Sequence, residues 1–247
     1  MLNALRLAIQ FFSTIPVGRV VYAPTQFCLA AYYYPLVGLI IGGILALLAW
    51  GLPAPLLMLN SVWVLSAWVL LTGGLHWDGL ADTADAWFAG VGDKPKTLRI
   101  MKDPCVGPIA VLTLLLVFSV KLAALFILQQ QQAWVWILLS PVVARTWVLV
   151  LLVATPYAKP EGFGAALSAY LQWRWVVLVG VGSVMFSYVC LPHPSAILWL
   201  WGSTLVLLLG LRQRMLARLQ GLTGDTAGAC IVLQECWVLV CGAYWSS

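Results

Sequence analysis

Asp78, Asp82 and Asp85 stand at i, i+4 and i+7 in the run Gly73-Gly74-Leu75-His76-Trp77-Asp78-Gly79-Leu80-Ala81-Asp82-Thr83-Ala84-Asp85, in a chain with only eight acidic residues among 247. On a helix that spacing stacks three carboxylates along one face. Their mutual repulsion calls for a cation in front of them, and oxygen-only ligation points to a hard divalent ion, Mg²⁺ or Mn²⁺. Asp103 and Asp225 join the candidate ligands, because both fall at the ends of apolar segments on the side where the aspartate run lies. Asp225 also suits a helix N-cap, as does Thr223. His76 is two residues from Asp78 and reads either as a proton-transfer group or as an interfacial histidine. Asp93 and Glu161 look like ordinary loop charges.

The cations divide in the same way. Lys94, Lys96, Arg99 and Lys102 could neutralise a polyphosphate beside the metal, or serve only to orient the chain in a membrane. Lys102-Asp103 directly precedes Pro104, which fixes both at the opening of the candidate site. Arg145 lies mid-segment in Ser140-Pro141-Val142-Val143-Ala144-Arg145-Thr146. It can grip phosphate bidentately or pair with Glu235; in the second case, removing Glu235 along with Arg145 should rescue the stability lost with Arg145. Lys121 reads as a snorkelling residue near the outer face, and His193, between two prolines, as structural. Acids, a metal and bases on one face suggest phosphoryl or nucleotidyl transfer. The chain has no P-loop, Rossmann glycine motif or hydrolase elbow. The nucleophile is therefore expected from the acceptor substrate.

The elements that must position these residues are membrane helices. The chain is 63% hydrophobic and 9% charged, with mean hydropathy +0.98, which excludes an ordinary soluble domain. Seven segments are long enough to cross a hydrocarbon core of about 30 Å: residues 27–50, 55–75, 107–128, 133–154, 173–191, 195–211 and 227–245, the sixth being short and blurred by Pro192 and Pro194. The expected fold is one all-α polytopic domain over residues 1–247. Residues 1–17 would form an interfacial helix, and 76–106 and 212–225 cytoplasmic active-site loops.

Eleven of the thirteen Lys and Arg residues, Arg19 and Lys159 among them, fall before the first span or after the second, fourth and sixth. By the positive-inside rule, the N-terminus and the long loops are then cytoplasmic and the C-terminus is periplasmic. Topology thus accounts for the net charge of +5, and no nucleic acid is needed. Six cysteines show neither metal-type spacing nor a disulfide framework.

The run from Gly73 to Asp85, then Ile100-Met101-Lys102-Asp103, then Thr223-Gly224-Asp225-x-x-Gly228, resembles the cobalamin synthase (adenosylcobinamide-GDP ribazoletransferase) family. Phe11-Phe12-Ser13-Thr14-Ile15-Pro16-Val17 fits the start of that family, and the likeness spans essentially the whole chain. Three departures stand out: Trp77 replaces a usual Leu, Ala86 a common Gly, and Pro104-Cys105 a frequent Ser-Arg. The resemblance implies that a ribose hydroxyl of α-ribazole, or of its 5′-phosphate, attacks the cobinamide-linked phosphorus of adenosylcobinamide-GDP, and GMP leaves. It implies Mg²⁺ dependence and a multi-pass protein of the bacterial inner membrane.

Carried over by motif, Asp78, Asp82, Asp85, Asp103 and Asp225 are the acidic positions, with Lys102 beside them. Asp82, His76 and Lys102 are then the catalytic candidates, and Arg145, Lys102, Arg99 and Thr223 the substrate-binding ones. A homo-oligomer or a complex with other cobalamin-assembly enzymes stays open. Two other classes remain. A CDP-alcohol phosphotransferase shares the Asp-Gly-x-x-Ala fragment, although Asp82-Thr83 breaks its pattern. A cation-coupled transporter could also use Asp, Glu and Arg, although its acids would be expected nearer the bilayer midplane.

Overall fold

The structure, a computed structural model, describes residues 2–18, 20, 23–158, 164, 167, 170–191 and 193–246. Arg19, Lys159, Glu161 and Pro192 lie outside the described residues. Among those described there is no β-strand, only an isolated bridge between Tyr157 and Leu222. All six cysteines are free.

The chain begins with α1 (Leu2–Phe12), whose Ala4, Leu7, Ala8 and Phe12 form one buried stripe at helical spacing. Short α2 (Pro24–Ala30) runs through a 3₁₀ turn into α3 (Tyr34–Gly51), followed by α4 (Leu57–Thr72), α5 (Leu75–Ala89) and α6 (Lys94–Ile100). Then come α7 (Pro108–Gln130), α8 (Trp134–Ala154), α9 (Trp173–Cys190), α10 (Pro194–Leu219) and α11 (Gly224–Ser246). Among the described residues, seven helical stretches are long and apolar enough to cross a membrane: Thr25–Gly51, Ala54–Thr72, then α7 to α11.

Two helices form the centre, α8 and α11, which carry the longest runs of buried residues. Close packing there depends on small residues. Gly38 and Gly42 of α3 face α8, where a Cβ would collide with the backbone of Pro141 and Leu138. That is the small-xxx-small contact by which membrane helices gain dispersion energy, since lipid offers no hydrophobic drive between them. Gly242 of α11 lies in the same way against the Trp136 ring of α8.

The structure changes two boundaries. The sixth span is not short: α10 runs through Arg212, Arg214 and Arg218 to Leu219, and only residues 220–223 link it to α11. The 76–106 connection is also largely helical, as α5 and α6. Asp93 is no idle loop charge, since its side chain caps α6 by accepting the Lys96 amide at 2.9 Å. The basic residues have local work as well. Arg212 donates to the Ala154 carbonyl at 2.8 Å, at the end of α8, and Arg218 to the Trp87 carbonyl at 2.8 Å, near the end of α5. These are carbonyls that a helix terminus leaves without an intrahelical partner.

Candidate functional site

Gly73 and Gly74 reverse the chain between α4 and α5, with φ of +64° and +71°. Their amides donate to Leu70 and Val69 and so close α4. Any residue with a Cβ is strained at such angles, so the glycine pair is what lets the aspartate helix start immediately after a span. From there α5 packs against α11. A Cβ on Gly79 would stand 2.8 Å from the Asp225 carbonyl oxygen, and one on Gly228 would stand 3.5 Å from the His76 Cα. The missing side chain at Gly79 brings the aspartate run and Asp225 onto one wall.

Asp82 registers the result. Burial first, then the charges of Asp78, Asp225 and Asp85, push its carboxyl up to about 6. Four of the five candidate ligands therefore share one electrostatic neighbourhood. Asp85 has a further duty: its carboxylate accepts the amides of Gly107 and Ala110, the latter at 2.8 Å, and so caps α7. Asp103 is exposed beyond α6, where it accepts the Cys105 amide at 3.0 Å. Lys102 and Arg99 are exposed on the same stretch.

Among the described residues, no three His, Cys, Asp or Glu side chains stand close enough to hold a metal between them. A closed protein cage does not fit this wall. An ion that keeps several waters and takes one or two carboxylates plus substrate phosphate, as Mg²⁺ does, fits its donor set.

Thr223 caps α11. Its hydroxyl accepts the Thr226 amide at 3.2 Å, and its own amide donates to the Thr226 hydroxyl at 2.9 Å. Thr223→Ala is therefore expected to lower stability by about 1 kcal/mol, as lost N-caps do, with Thr223→Ser close to the parent. Thermal unfolding in detergent checks this, and an unchanged midpoint in Thr223→Ala would contradict the capping role.

The wall borders a cavity of ≈ 500 Å³. Asp78 and Asp225 line it together with His76, Phe11, Phe12, Phe27, Tyr34 and Tyr157. His76 is 4% exposed and nearly parallel to the Phe12 ring, 5.4 Å between centroids. Burial, then the Arg145 charge, lowers its pKa to about 3, so the ring is neutral at working pH and a poor proton acceptor. Tyr157 went unnoticed in the sequence. Its phenol pKa is raised by burial and by the Asp225 charge, against the effect of a bond with the Gly224 backbone. Only the fold could reveal it, because Tyr157 belongs to an irregular segment with no motif around it.

Below the cavity lies a buried charge cluster. Glu235 accepts from Lys121 Nζ at 2.7 Å and from Arg145 Nη1. The Lys121 ammonium also sits 3.7 Å from the Trp68 ring centroid. Lys121 is 0% exposed, so the snorkelling expectation is corrected: a carboxylate and an aromatic face hold it inside. The signal was available, because an ionisable residue within a span is a functional candidate by default. Arg145 does pair with Glu235, yet its Nε and Nη2 have no hydrogen-bond partner. Its guanidinium carbon lies 5.7 Å from the Phe12 ring centroid, linking the cluster to the cavity wall.

No solved structure matches the chain. A Pseudomonas entomophila protein named adenosylcobinamide-GDP ribazoletransferase is 45% identical over 238 residues, covering 95% of this chain and 96% of its own length. One of that name from Pseudomonas aeruginosa is 44% identical over 243 residues, covering 97% of each chain. A third, from Pseudomonas syringae, is 42% identical over 247 residues, covering 95% of this chain and 96% of its own. The CDP-alcohol phosphotransferase and transporter alternatives are left without support. Residues 4–243 match the sequence profile described as cobalamin-5-phosphate synthase, and with these full-length relatives the chain belongs to that family.

Proposed function

We propose that this protein joins adenosylcobinamide-GDP to α-ribazole or α-ribazole 5′-phosphate, giving adenosylcobalamin or its 5′-phosphate and GMP. The observation that carries the reading is the aspartate wall of α5 and α11 opening beside a cavity of ≈ 500 Å³, in a chain whose relatives bear that enzyme's name. In the reaction a ribose hydroxyl oxygen bonds to the phosphorus that carries cobinamide. The anhydride bond to GMP breaks, and the hydroxyl proton passes to a base.

Asp82 suits that base, because a carboxyl pushed up to about 6 lies near the operating pH while still ionised. Asp78 and Asp225, which line the cavity, would hold a Mg²⁺ or Mn²⁺ ion together with water and substrate phosphate, with Asp82 beside them. When bound, the ion neutralises diphosphate charge and steadies the leaving GMP. Asp85, with its carboxylate committed to backbone amides, positions α7 against α5. Lys102 and Arg99, exposed at the end of α6, are placed to meet the guanosine phosphates from solvent. His76 acts as a neutral wall of the acceptor site.

The site faces the cytoplasm of a bacterial inner membrane, on the side that the positive-inside rule assigns to the Lys/Arg-rich ends. A reporter active only outside that membrane should be silent when fused after Gly90 and active after Gln131. Activity is tested on purified protein in detergent with adenosylcobinamide-GDP and α-ribazole, with and without Mg²⁺. Metal-dependent GMP release is expected, and no release with both substrates present would refute the reading.

A further inference from the structure

The cavity beside the aspartate wall is too small for one substrate and well suited to part of the other. At ≈ 500 Å³ it falls within the range of sites that enclose a drug-sized molecule. A corrin macrocycle with its fringe of side chains is several times larger than a nucleoside and cannot enter. Its walls are flat and aromatic. The Phe12 ring meets Tyr34 edge-on at 4.4 Å and lies nearly parallel to His76 at 5.4 Å, and Tyr157 closes another side.

The cavity also has a direction. Asp78 is exposed and Asp225 half-buried, whereas His76 is 4% exposed, so the carboxylates mark the mouth and the imidazole the depth. At that depth the His76 Nε2 is enclosed without a hydrogen-bond partner. A buried polar atom with no partner in a largely apolar wall is unfavourable unless a ligand supplies one.

We propose that this cavity seats the flat, bicyclic nitrogen base of the acceptor nucleoside. The base lies against Phe12 and His76, a ring nitrogen engages His76 Nε2, and the ribose hydroxyls remain at the mouth beside Asp78 and Asp225. The proposal rests on the acceptor being a benzimidazole nucleoside, as in the proposed function. The corrinoid then approaches from outside the cavity, and only its phosphate meets the carboxylate wall. A lipid occupant fits less well. An acyl chain leaves the buried His76 Nε2 without a partner.

The test narrows the cavity from α11. Ala227 lines it, and Ala227→Leu adds bulk there. The expected result with full-length protein in detergent is a KM for α-ribazole raised about tenfold, as for a steric mismatch in a fitted pocket, with the KM for adenosylcobinamide-GDP within about twofold. The riboside of imidazole, one ring smaller, should bind the variant as it binds the parent. Should Ala227→Leu unfold, Gly228→Ala serves instead, because its methyl would meet only ordinary contacts, the nearest at 3.5 Å. The same split in KM is then expected, at a smaller size.

A rise confined to the KM for the GDP-linked substrate would overturn the proposal, and so would no change in either. Calorimetric binding of α-ribazole alone to the parent, lost in His76→Phe, separates this from the overall reaction. That binding would survive even if no GMP were released, whereas its absence in a parent that turns over would count against the subsite alone.

Discussion

Asp82→Ala should abolish turnover while the protein still inserts and accumulates. Asp82 is the carboxylate on which three others converge electrostatically: Asp78, Asp225 and Asp85 all raise its pKa, after burial. Removing one well-placed electrostatic group from a transfer site costs about 3–4 kcal/mol of transition-state stabilisation, a loss of about 10²–10³ in kcat. Loss of the base adds to that. Asp82→Asn keeps the shape but not the charge and should be nearly as damaging to activity.

Its effect on stability has the opposite sign. An aspartate in an unfolded chain titrates near pH 4, whereas Asp82 in the fold is pushed up to about 6. Between those values the folded state binds more protons than the unfolded one. Metal-free stability therefore falls as pH rises from about 4 to about 6 and stays lowered above that. At pH 7.5 without divalent metal, Asp82→Asn should unfold at a higher temperature than the parent. Mg²⁺ should raise the parent's midpoint at that pH and do much less at pH 5. In the free enzyme, activity should fall as pH drops through about 6, and saturating Mg²⁺ should move that limb lower, because a bound cation favours the carboxylate. Parent-like activity in Asp82→Ala would refute the aspartate-wall mechanism.

The largest effect on stability is expected from Glu235→Gln, about 3–5 kcal/mol, the usual cost of stranding buried charge. Glu235 serves two cations, Lys121 and Arg145, all three being buried. The glutamine leaves both ammonium and guanidinium without a counter-ion. Arg145→Met should be mild by comparison, because Lys121 and Glu235 remain a balanced pair. The double variant Arg145→Met with Glu235→Gln still strands Lys121 and should recover only part of the loss. Adding Lys121→Met should bring stability near the parent's, since apolar side chains of similar volume often replace buried ions without penalty. Thermal unfolding of the series in detergent checks the order. An Arg145→Met variant as unstable as Glu235→Gln would mean that Lys121 does not share the carboxylate.

The sequence by itself determined the membrane helices and their number, and it singled out the acids of the candidate site. A span of about twenty apolar residues has one stable solution in lipid, because every backbone polar group must bond within its own helix. The i, i+4, i+7 spacing of Asp78, Asp82 and Asp85 then follows from helical geometry alone, and both depend only on residues close together in the chain. The end of the sixth span misled for a related reason. Hydropathy ends where Arg212 appears, but a helix continues wherever its carbonyls and cations find partners, as Arg212 and Arg218 do.

Tertiary structure alone decided which distant groups meet. Gly79 is an unremarkable letter until α5 and α11 close on each other through it and bring Asp225 to the aspartate wall. By spacing alone Asp85 is one more carboxylate of the helix face; the fold adds that the N-terminus of α7 is docked on it. Lys121 reads as a cation bound for the interface until Glu235, 114 residues away, is seen to hold it inside. Whether a charge in a span snorkels or is buried depends on whether a counter-charge and an aromatic face lie within a few ångströms. That distance is fixed by the packing of helices against one another, which hydropathy and local spacing do not encode.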